Sequence, residues 1–438
     1  LLFDPTPFGI MPVTAEGSEP DQMLTLEMVE AALNDAGRNV TAHSKSENIS
    51  VILGRGGYLG IRAARGSQHA IFANQLVKSV EALLLGLSAQ QLASIKKDFT
   101  AQLGHYGPDT AIGLVPNITA SLVANRFDFG GSAYTIDAAC ASSLIAIDHA
   151  VRELEMGRAH LVITGGVHLC DDLGFWNVFS RLGAISRSHQ IRPFDRRADG
   201  LLIGEGIGIL VLARQQDAER RGDRIYALIR GTGISSDGRG KSLMLPNTTG
   251  QLLALKRAWE AARLDPGGIG LLEAHGTGTP DGDRTELETI AKYFSARLTS
   301  QPALGTVKSM IGHTMPAAGA AGLIKAALAL HHGFLPPTLH CEEPSQLVSK
   351  TGFRLCAESE SWPTALPRLA GVNAFGFGGI NAHVVLEAAS LVSTRQISLS
   401  KGSTADMLLL ESDSPAGLAH ALKPGYESKI QGSFRLVV

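Results

Sequence analysis

The chain has 438 residues and carries 39 Lys and Arg against 41 Asp and Glu, a formal net charge of −2. That balance excludes a nucleic-acid surface or a membrane-surface binder built on bulk positive charge, and 44% apolar residues exclude wholesale disorder. Four cysteines (Cys140, Cys170, Cys341, Cys356), none in a C-x-x-C pair, make neither a disulfide framework nor a zinc knuckle, so reduced thiols in a cytoplasmic protein are expected.

In chain order, residues 20–36 read as an amphipathic helix, with Met23, Leu26, Val29 and Leu33 at helical spacing and Gly37 as its stop. A buried strand follows at 49–53, and 68–103 reads as helical. Then come a strand at 133–138, a helix at 140–156 and a strand at 161–165. Strands at 206–212 and 225–229, a helix at 252–263, a strand at 269–273 and a helix from about Thr285 repeat the alternation. A strand at 304–307 leads to an Ala-rich helix from Ala317, and strands at 369–373 and 381–387 close the region. This alternation predicts mainly parallel sheets covered on both faces. No apolar run reaches the roughly 18 residues of a spanning helix, so no membrane contact is expected. Beyond about Ala389 the composition shifts towards Ser, Thr and charge, as in a linker. The chain opens at Leu1 without methionine or signal peptide, and residues before it are expected to be missing.

Four stretches carry chemistry. Asp137-Ala138-Ala139-Cys140-Ala141-Ser142-Ser143 runs from a strand end into a helix. A thiol there sits at the positive end of a helix dipole, which favours thiolate; the same cysteine reads equally as a packed core residue. Glu273-Ala274-His275-Gly276-Thr277-Gly278-Thr279 offers an imidazole and two hydroxyls from a loop after a strand. Lys308-Ser309-Met310-Ile311-Gly312-His313 places an amine and an imidazole just before the Ala-rich helix. Asn373-Ala374-Phe375-Gly376-Phe377-Gly378-Gly379-Ile380-Asn381 is a glycine turn able to aim backbone N–H groups at an oxyanion. Singly, the second and third read as solvated loops and the fourth as a plain β-turn; the four together and in this order make an acyl-transfer set.

At this point the chain resembles the β-ketoacyl synthases, over about residues 3–387. FDPTPFGI at 3–10, RPFD at 192–195, GEGIGILVL at 204–212, LPPTLH at 335–340 and NAHVVLE at 381–387 carry the likeness with the four stretches. The resemblance implies a thiolase-like fold: a duplicated α-β-α-β-α five-layer sandwich, with halves of about 1–205 and 206–388 and a linker at 389–438 towards a further module. It implies Cys140 as acyl-accepting nucleophile, and His275 and His313 as the pair that polarises the malonyl thioester. Lys308 would orient the second histidine. Backbone N–H groups of Cys140 and Phe377 would form the oxyanion hole, with the Phe377 ring beside the sulfur. Thr277 and Thr279 would hold the phosphopantetheine arm. The implied reaction is a decarboxylative Claisen condensation on an acyl carrier protein, with no metal or redox cofactor bound. Implied partners are the carrier, neighbouring acyltransferase and other synthase domains, and a second copy in a homodimer.

The chain departs from the family at Ile380, at Pro280-Asp281-Gly282-Asp283-Arg284, in an absent opening strand, and at Gly322, where many stand-alone members carry glutamate. Gly322 favours a multidomain type I synthase; ACASSL and KSMIGHTMPAAG lean towards polyunsaturated-fatty-acid-synthase-like members. Leu408-Leu409-Leu410-Glu411-Ser412 resembles the strand that opens a linker to an acyltransferase. A degradative thiolase would need a second, C-terminal cysteine in a C-x-G motif, and a chalcone-synthase-like enzyme an Asn where His313 stands. The alternative of another class is a non-condensing scaffold that docks carriers. Arg187, Arg192, Arg196 and Arg197 read as either a carrier contact or a solvated cluster. The three other cysteines and His383 read as structural.

Overall fold

The computed structural model describes residues 3–38, 48–57, 60–104, 106–108, 110, 113, 115–169, 173–240, 242, 245–364, 367–389, 409–412 and 434–437. The chain divides into two compact units, Leu1–Leu391 and Val392–Val438. In the first, strands are β1 (Ile49–Arg55), β2 (Ala133–Ile136), β3 (Leu161–His168), β4 (Gly206–Ala213), β5 (Leu228–Ser236), β6 (Leu271–Glu273), β7 (Ala303–Gly305), β8 (Phe334–Leu335), β9 (Arg354–Leu355), β10 (Glu360–Ser361), β11 (Leu369–Gly376) and β12 (Ile380–Glu387). The longer helices are α1 (Pro20–Asp35), α2 (Ala73–Leu83), α3 (Ala89–Gln102), α4 (Ile118–Arg126), α5 (Ser142–Glu155), α6 (Leu173–Arg181), α7 (Thr248–Ala262), α8 (Pro280–Phe294) and α9 (Ala318–His332). In the second unit β13 (Leu409–Ser412), where the tail reads as a strand, pairs antiparallel with β14 (Phe434–Val437).

One sheet has the order β2-β1-β3-β4, the other β5-β12-β11-β6-β7-β9. In the first, β1 runs parallel to β2 and β3, and β4 closes antiparallel on β3. In the second, β6 runs parallel to β7 and β11, and β12 closes antiparallel on β11. The orders β2-β1-β3-β4 and β7-β6-β11-β12 are therefore one pattern used twice. Helices α5 and α9 lie side by side between the sheets, α1 and α4 cover the outer face of the first, and α7 covers that of the second with α8 against it. That makes five layers, as the resemblance implies. The middle is filled from both helices: Leu144 and Ile147 of α5 and Leu323 and Leu330 of α9 share a cluster with Val372 and Val384.

Most elements lie where the pattern puts them. Met23, Leu26, Val29 and Leu33 all face the core, and α1 gives way to Gly37 at φ 68°. Three differ. The helical stretch 68–103 is broken into a π-turn at Gln68–Phe72, α2 and α3. Helix α8 starts at Pro280 rather than near Thr285, because a proline in the first turn gives up no hydrogen bond there and Asp281 and Asp283 favour the positive end. Strand β5 begins at Leu228 and runs on to Ser236 through glycines, well past the predicted 225–229.

Candidate active site

Cys140 lies in the five-residue connection from β2 to α5. Ala139 adopts φ 50°, left-handed and strained for a residue with a Cβ. The turn holds because Asp137 Oδ1 accepts from Ala139 N at 3.0 Å. Ser142 Oγ accepts from Ala138 N at 2.8 Å and donates to Ala139 O at 2.6 Å. Cys140 is buried in an apolar cluster with Phe175, Phe179, Ile191, Leu201 and Met315. The helix-dipole argument predicts a lowered thiol pKa; the structure reverses it. Burial pushes the thiol up, and this outweighs the Lys308 ammonium and the backbone N–H groups of Phe377 and Cys140, which pull it down.

Reactive atoms of Cys140, His275 and His313 all lie within 4.8 Å of one another. His275 leaves the end of β6, and His313 stands ahead of α9. His313 N donates to Leu202 O at 2.8 Å and Gly204 N to His313 O at 3.0 Å, so the chain just before β4 brackets this histidine. The two rings meet edge to face, centroids 5.4 Å apart. Both imidazole pKa values fall well below the ordinary range, through burial first and the Lys308 charge second. Both rings are thus neutral, and their tautomers follow from their partners. His313 Nδ1 accepts from Met315 N at 3.1 Å, so its proton sits on Nε2. His275 Nδ1 faces Lys308 Nζ at 3.4 Å, and since an ammonium only donates, this proton too sits on Nε2. The lysine therefore hydrogen-bonds the first histidine, whereas the resemblance implies the second. Its cation also disfavours a metal among these three side chains.

Buried carboxylates hold the frame. Glu286 on α8 accepts from His275 N at 2.7 Å, Gly276 N at 2.8 Å and Asn373 Nδ2 at 2.9 Å, which ties the His275 loop to β11. Asn373 Oδ1 lies 2.6 Å from His383 Nδ1, which gives that histidine its structural role. Asp283 accepts from Phe194 N at 2.7 Å and Gly278 N at 3.1 Å, and burial raises its carboxyl to about 7. Glu273 accepts from Val307 N and, at 2.9 Å, from Lys325 Nζ on α9. A Cβ at Gly322 would stand 3.1 Å from Glu273 Cγ, so the place of the family glutamate is filled from β6. None of these three acids stands out in the sequence, where buried and solvated carboxylates read alike; only their place a few residues past a Gly-Thr loop marks Asp283 and Glu286.

Phe377 opens the turn between β11 and β12, with its N–H towards the Cys140 sulfur and its ring edge-on to Phe179 at 6.5 Å. Thr277 Oγ1 and Thr279 Oγ1 lie 2.9 Å apart, close to each other rather than pointing separately into space. Of the arginine cluster, Arg196 pairs with Glu343 and Arg197 with Asp195 and Glu342, so much of its charge is spent locally. Cys356 is buried and Cys341 partly so, while Cys170 lies outside the described residues.

Residues 1–218 match the family model described as Beta-ketoacyl synthase, N-terminal domain, and 226–342 match Beta-ketoacyl synthase, C-terminal domain. Residues 344–434 match the Ketoacyl-synthetase C-terminal extension. The chain is 34% identical over 443 residues to a polyunsaturated fatty acid synthase polypeptide of Thraustochytrium sp., an alignment covering 98% of this chain and 16% of the relative. It is 36% identical over 392 residues to polyketide synthase GfsA of Streptomyces halstedii, covering 88% and 5%. It thus spans less than a fifth of each of these relatives. Among solved structures, a PfaC keto synthase–chain length factor superposes with TM-score 0.77 at 34% identity, covering 89% of this chain and 41% of that one. The ketosynthase from module 6 of the bacillaene synthase of Bacillus subtilis 168 gives TM-score 0.72 at 29% identity, covering 96% and 66%.

Proposed function

The chain belongs to the β-ketoacyl synthase family, and we propose that it joins an acyl group held on Cys140 to a malonyl-type unit carried on phosphopantetheine, with loss of CO2. The observation that carries this reading is the convergence of one thiol and two neutral imidazoles within 4.8 Å, both rings held with Nε2–H free to donate.

The acyl chain arrives as a thioester and exchanges onto the Cys140 sulfur; the thiol proton leaves with the departing pantetheine sulfur. In the malonyl thioester the carbon–carboxylate bond then breaks, and its electron pair passes to the thioester oxygen. The two Nε2–H groups stabilise that enolate in a site with little water. Its carbon attacks the acyl-cysteine carbonyl. The N–H groups of Cys140 and Phe377 take the tetrahedral charge, and collapse frees the sulfur. Lys308 keeps His275 neutral and in the required tautomer. Thr277 and Thr279 are assigned to the pantetheine arm.

The same reading takes residues 1–388 as the ketosynthase and 389–438 as the link towards a further module of a polyketide or polyunsaturated-fatty-acid type synthase. An acyl carrier protein is the partner, along with neighbouring acyltransferase and other synthase domains. The setting is cytoplasmic; no described helix is long and apolar enough to cross a membrane. Among the described residues β2 ends its sheet, and pairing across a two-fold axis at that edge would make a homodimer. Sedimentation showing only monomer at micromolar concentration would overturn the dimer.

Two variants test the chemistry. Cys140→Ala should gain no acyl mass and make no β-ketoacyl product, yet keep part of its malonyl decarboxylation. His313→Ala should still be acylated but decarboxylate about 100- to 1,000-fold more slowly, the usual loss for one oxyanion donor. Acyl-enzyme mass and CO2 release from malonyl-carrier protein are the readouts. A parent chain that gains no acyl mass would favour a docking scaffold. Condensation by Cys140→Ala, or parent-rate decarboxylation by His313→Ala, would refute the division of labour.

A further inference from the structure

The two loops that carry Cys140 and His313 are held in different ways. The Cys140 turn closes on its own side chains, Asp137 and Ser142. The His313 loop runs into α9 with Ala317 as N-cap, which has no side-chain acceptor to offer the first turn. The first N–H groups of a helix have no carbonyl behind them inside the helix, and buried ones need another acceptor.

One comes from the opposite helix. Ser143, three residues past Cys140 and the second residue of α5, accepts through Oγ from the N–H of Ala320, the third residue of α9, at 2.9 Å. A serine at the N-cap would make this bond from its own loop; here it crosses from one middle helix to the other. Ser143 is wholly buried and has no room to step aside. A Cβ at Gly54 of β1 would stand 2.5 Å from Ser143 N, one at Gly166 of β3 2.8 Å from Ser143 Cβ, and one at Gly319 of α9 2.9 Å from Ser143 Oγ. The Cβ at Gly166 would also lie 2.6 Å from Ala317 Cα, so β3 bears on both helix starts at a single residue. Three glycines thus let two strands and a helix close on one serine.

We propose that Ser143 is a positioning residue of condensation: its Oγ sets the start of α9, and with it the His313 Nε2–H, at the distance from Cys140 that lets the enolate carbon reach the acyl carbonyl. This rests on the reading of the site given above. The steps do not depend on it equally. Acyl transfer needs the Cys140 turn, which keeps its own bonds. Carbon–carbon bond formation needs both loops in register, and a misplacement of about 1 Å costs on the order of 100-fold. An enolate out of reach of the acyl carbonyl takes a proton from water instead and leaves as the acetyl thioester.

Ser143→Ala is the test, since it removes the acceptor and little volume. Acyl mass on Cys140 should build up at close to the parent rate, while condensation slows about 100-fold. Malonyl-pantetheine thioester should then give CO2 and acetyl thioester in place of β-ketoacyl product. The double variant Ser143→Ala with Ala317→Ser gives α9 a cap from its own loop but no link to α5. It should regain the parent's thermal midpoint without regaining the condensation rate, and it carries the test if the single variant fails to fold. Parent-rate condensation in Ser143→Ala, acylation lost in step with condensation, recovery of condensation in the double variant, or failure of both variants to fold would each overturn the proposal. A parent protein that neither acylates nor decarboxylates would instead sink the condensing function itself.

Discussion

Replacing Lys308 by Met removes one charge at the point where the whole site is poised. Lys308 is 3% exposed, and Met fills a similar volume, so packing changes little. What is lost is the donor at 3.4 Å from His275 Nδ1 and a cation that lowers the pKa values of both histidines and of the Cys140 thiol. Loss of a nearby cation favours the protonated form of every neighbour, so all three pKa values should move upward. A hydrogen bond to a charged group contributes about 1.5–3 kcal/mol, and the long contact puts this one at the lower end, so decarboxylation should slow about 10-fold. The assay is nitrogen-15 NMR of the histidine rings against pH, with thiol alkylation at neutral pH and CO2 release alongside. In Lys308→Met, His275 should gain its second proton at a higher pH than in the parent, and Cys140 should alkylate more slowly. An unmoved or lowered His275 titration, or faster alkylation, would show that the lysine does not set the electrostatics of the site.

Two further outcomes follow from the buried acids. Asp283 holds a carboxyl pKa of about 7 against 3.8 unfolded, so the folded state binds more protons between those values and this residue's contribution to stability falls as pH rises through the window; Asp283→Asn should remove that downward slope in chemical unfolding followed across pH, and an unchanged slope would refute the assignment. Lys325→Met strands the Glu273 carboxylate, 1% exposed in its side chain, without its cation, and should cost about 3–5 kcal/mol of unfolding free energy; a denaturation midpoint equal to the parent's would mean that Glu273 is held by Val307 N alone.

The family was readable because thiol, imidazole and ammonium are rare at strand ends, and three such ends followed by a glycine turn, in one order, leave little else for them to do. What was not readable is what depends on depth. The direction of the Cys140 shift turns on burial among Phe175, Phe179 and Met315, residues drawn from separate stretches of chain, and no local pattern gives that. The partner of Lys308 depends on how two loops cross. Strand β5 is misplaced by the sequence pattern because Gly231 and Gly233 weaken an apolar run. In the fold they admit α7, since a Cβ at either would stand 2.2 Å from a carbonyl oxygen of Ala258 or Ala254. The arginine cluster illustrates the converse: a cluster in sequence, but two of its four members paired with acids around Glu342 and Glu343.

The duplication explains why the Cys140 thiol and the His313 imidazole meet at all. In each half the first strand of the shared order leads to one of the two middle helices: β2 to α5, and β7, through Lys308, to α9. The two approaches are the same loop. Ala139 at φ 50° stands three residues before α5, and Met315 at φ 45° three before α9. Ala141 N donates to Ala138 O at 3.1 Å, and Ala317 N to Thr314 O at 2.9 Å. The strained residue's N–H is taken two residues back in both copies, by Asp137 Oδ1 at 3.0 Å in one and by His313 Nδ1 at 3.1 Å in the other. In that register His313 stands where Asp137 stands, and Cys140 corresponds to Pro316. Each copy thus keeps its turn and spends a different position on chemistry: the first half the residue after the strained one, the second half the residue that caps it. Because α5 and α9 lie side by side, the two loops face each other across the site. The bond that holds the second loop in shape is also the bond that places the His313 proton on Nε2. The hydrogen bond that caps the turn and the one that fixes the His313 tautomer are therefore one interaction, and a change that relaxed Met315 would be felt first as a loss of the Nε2–H donor.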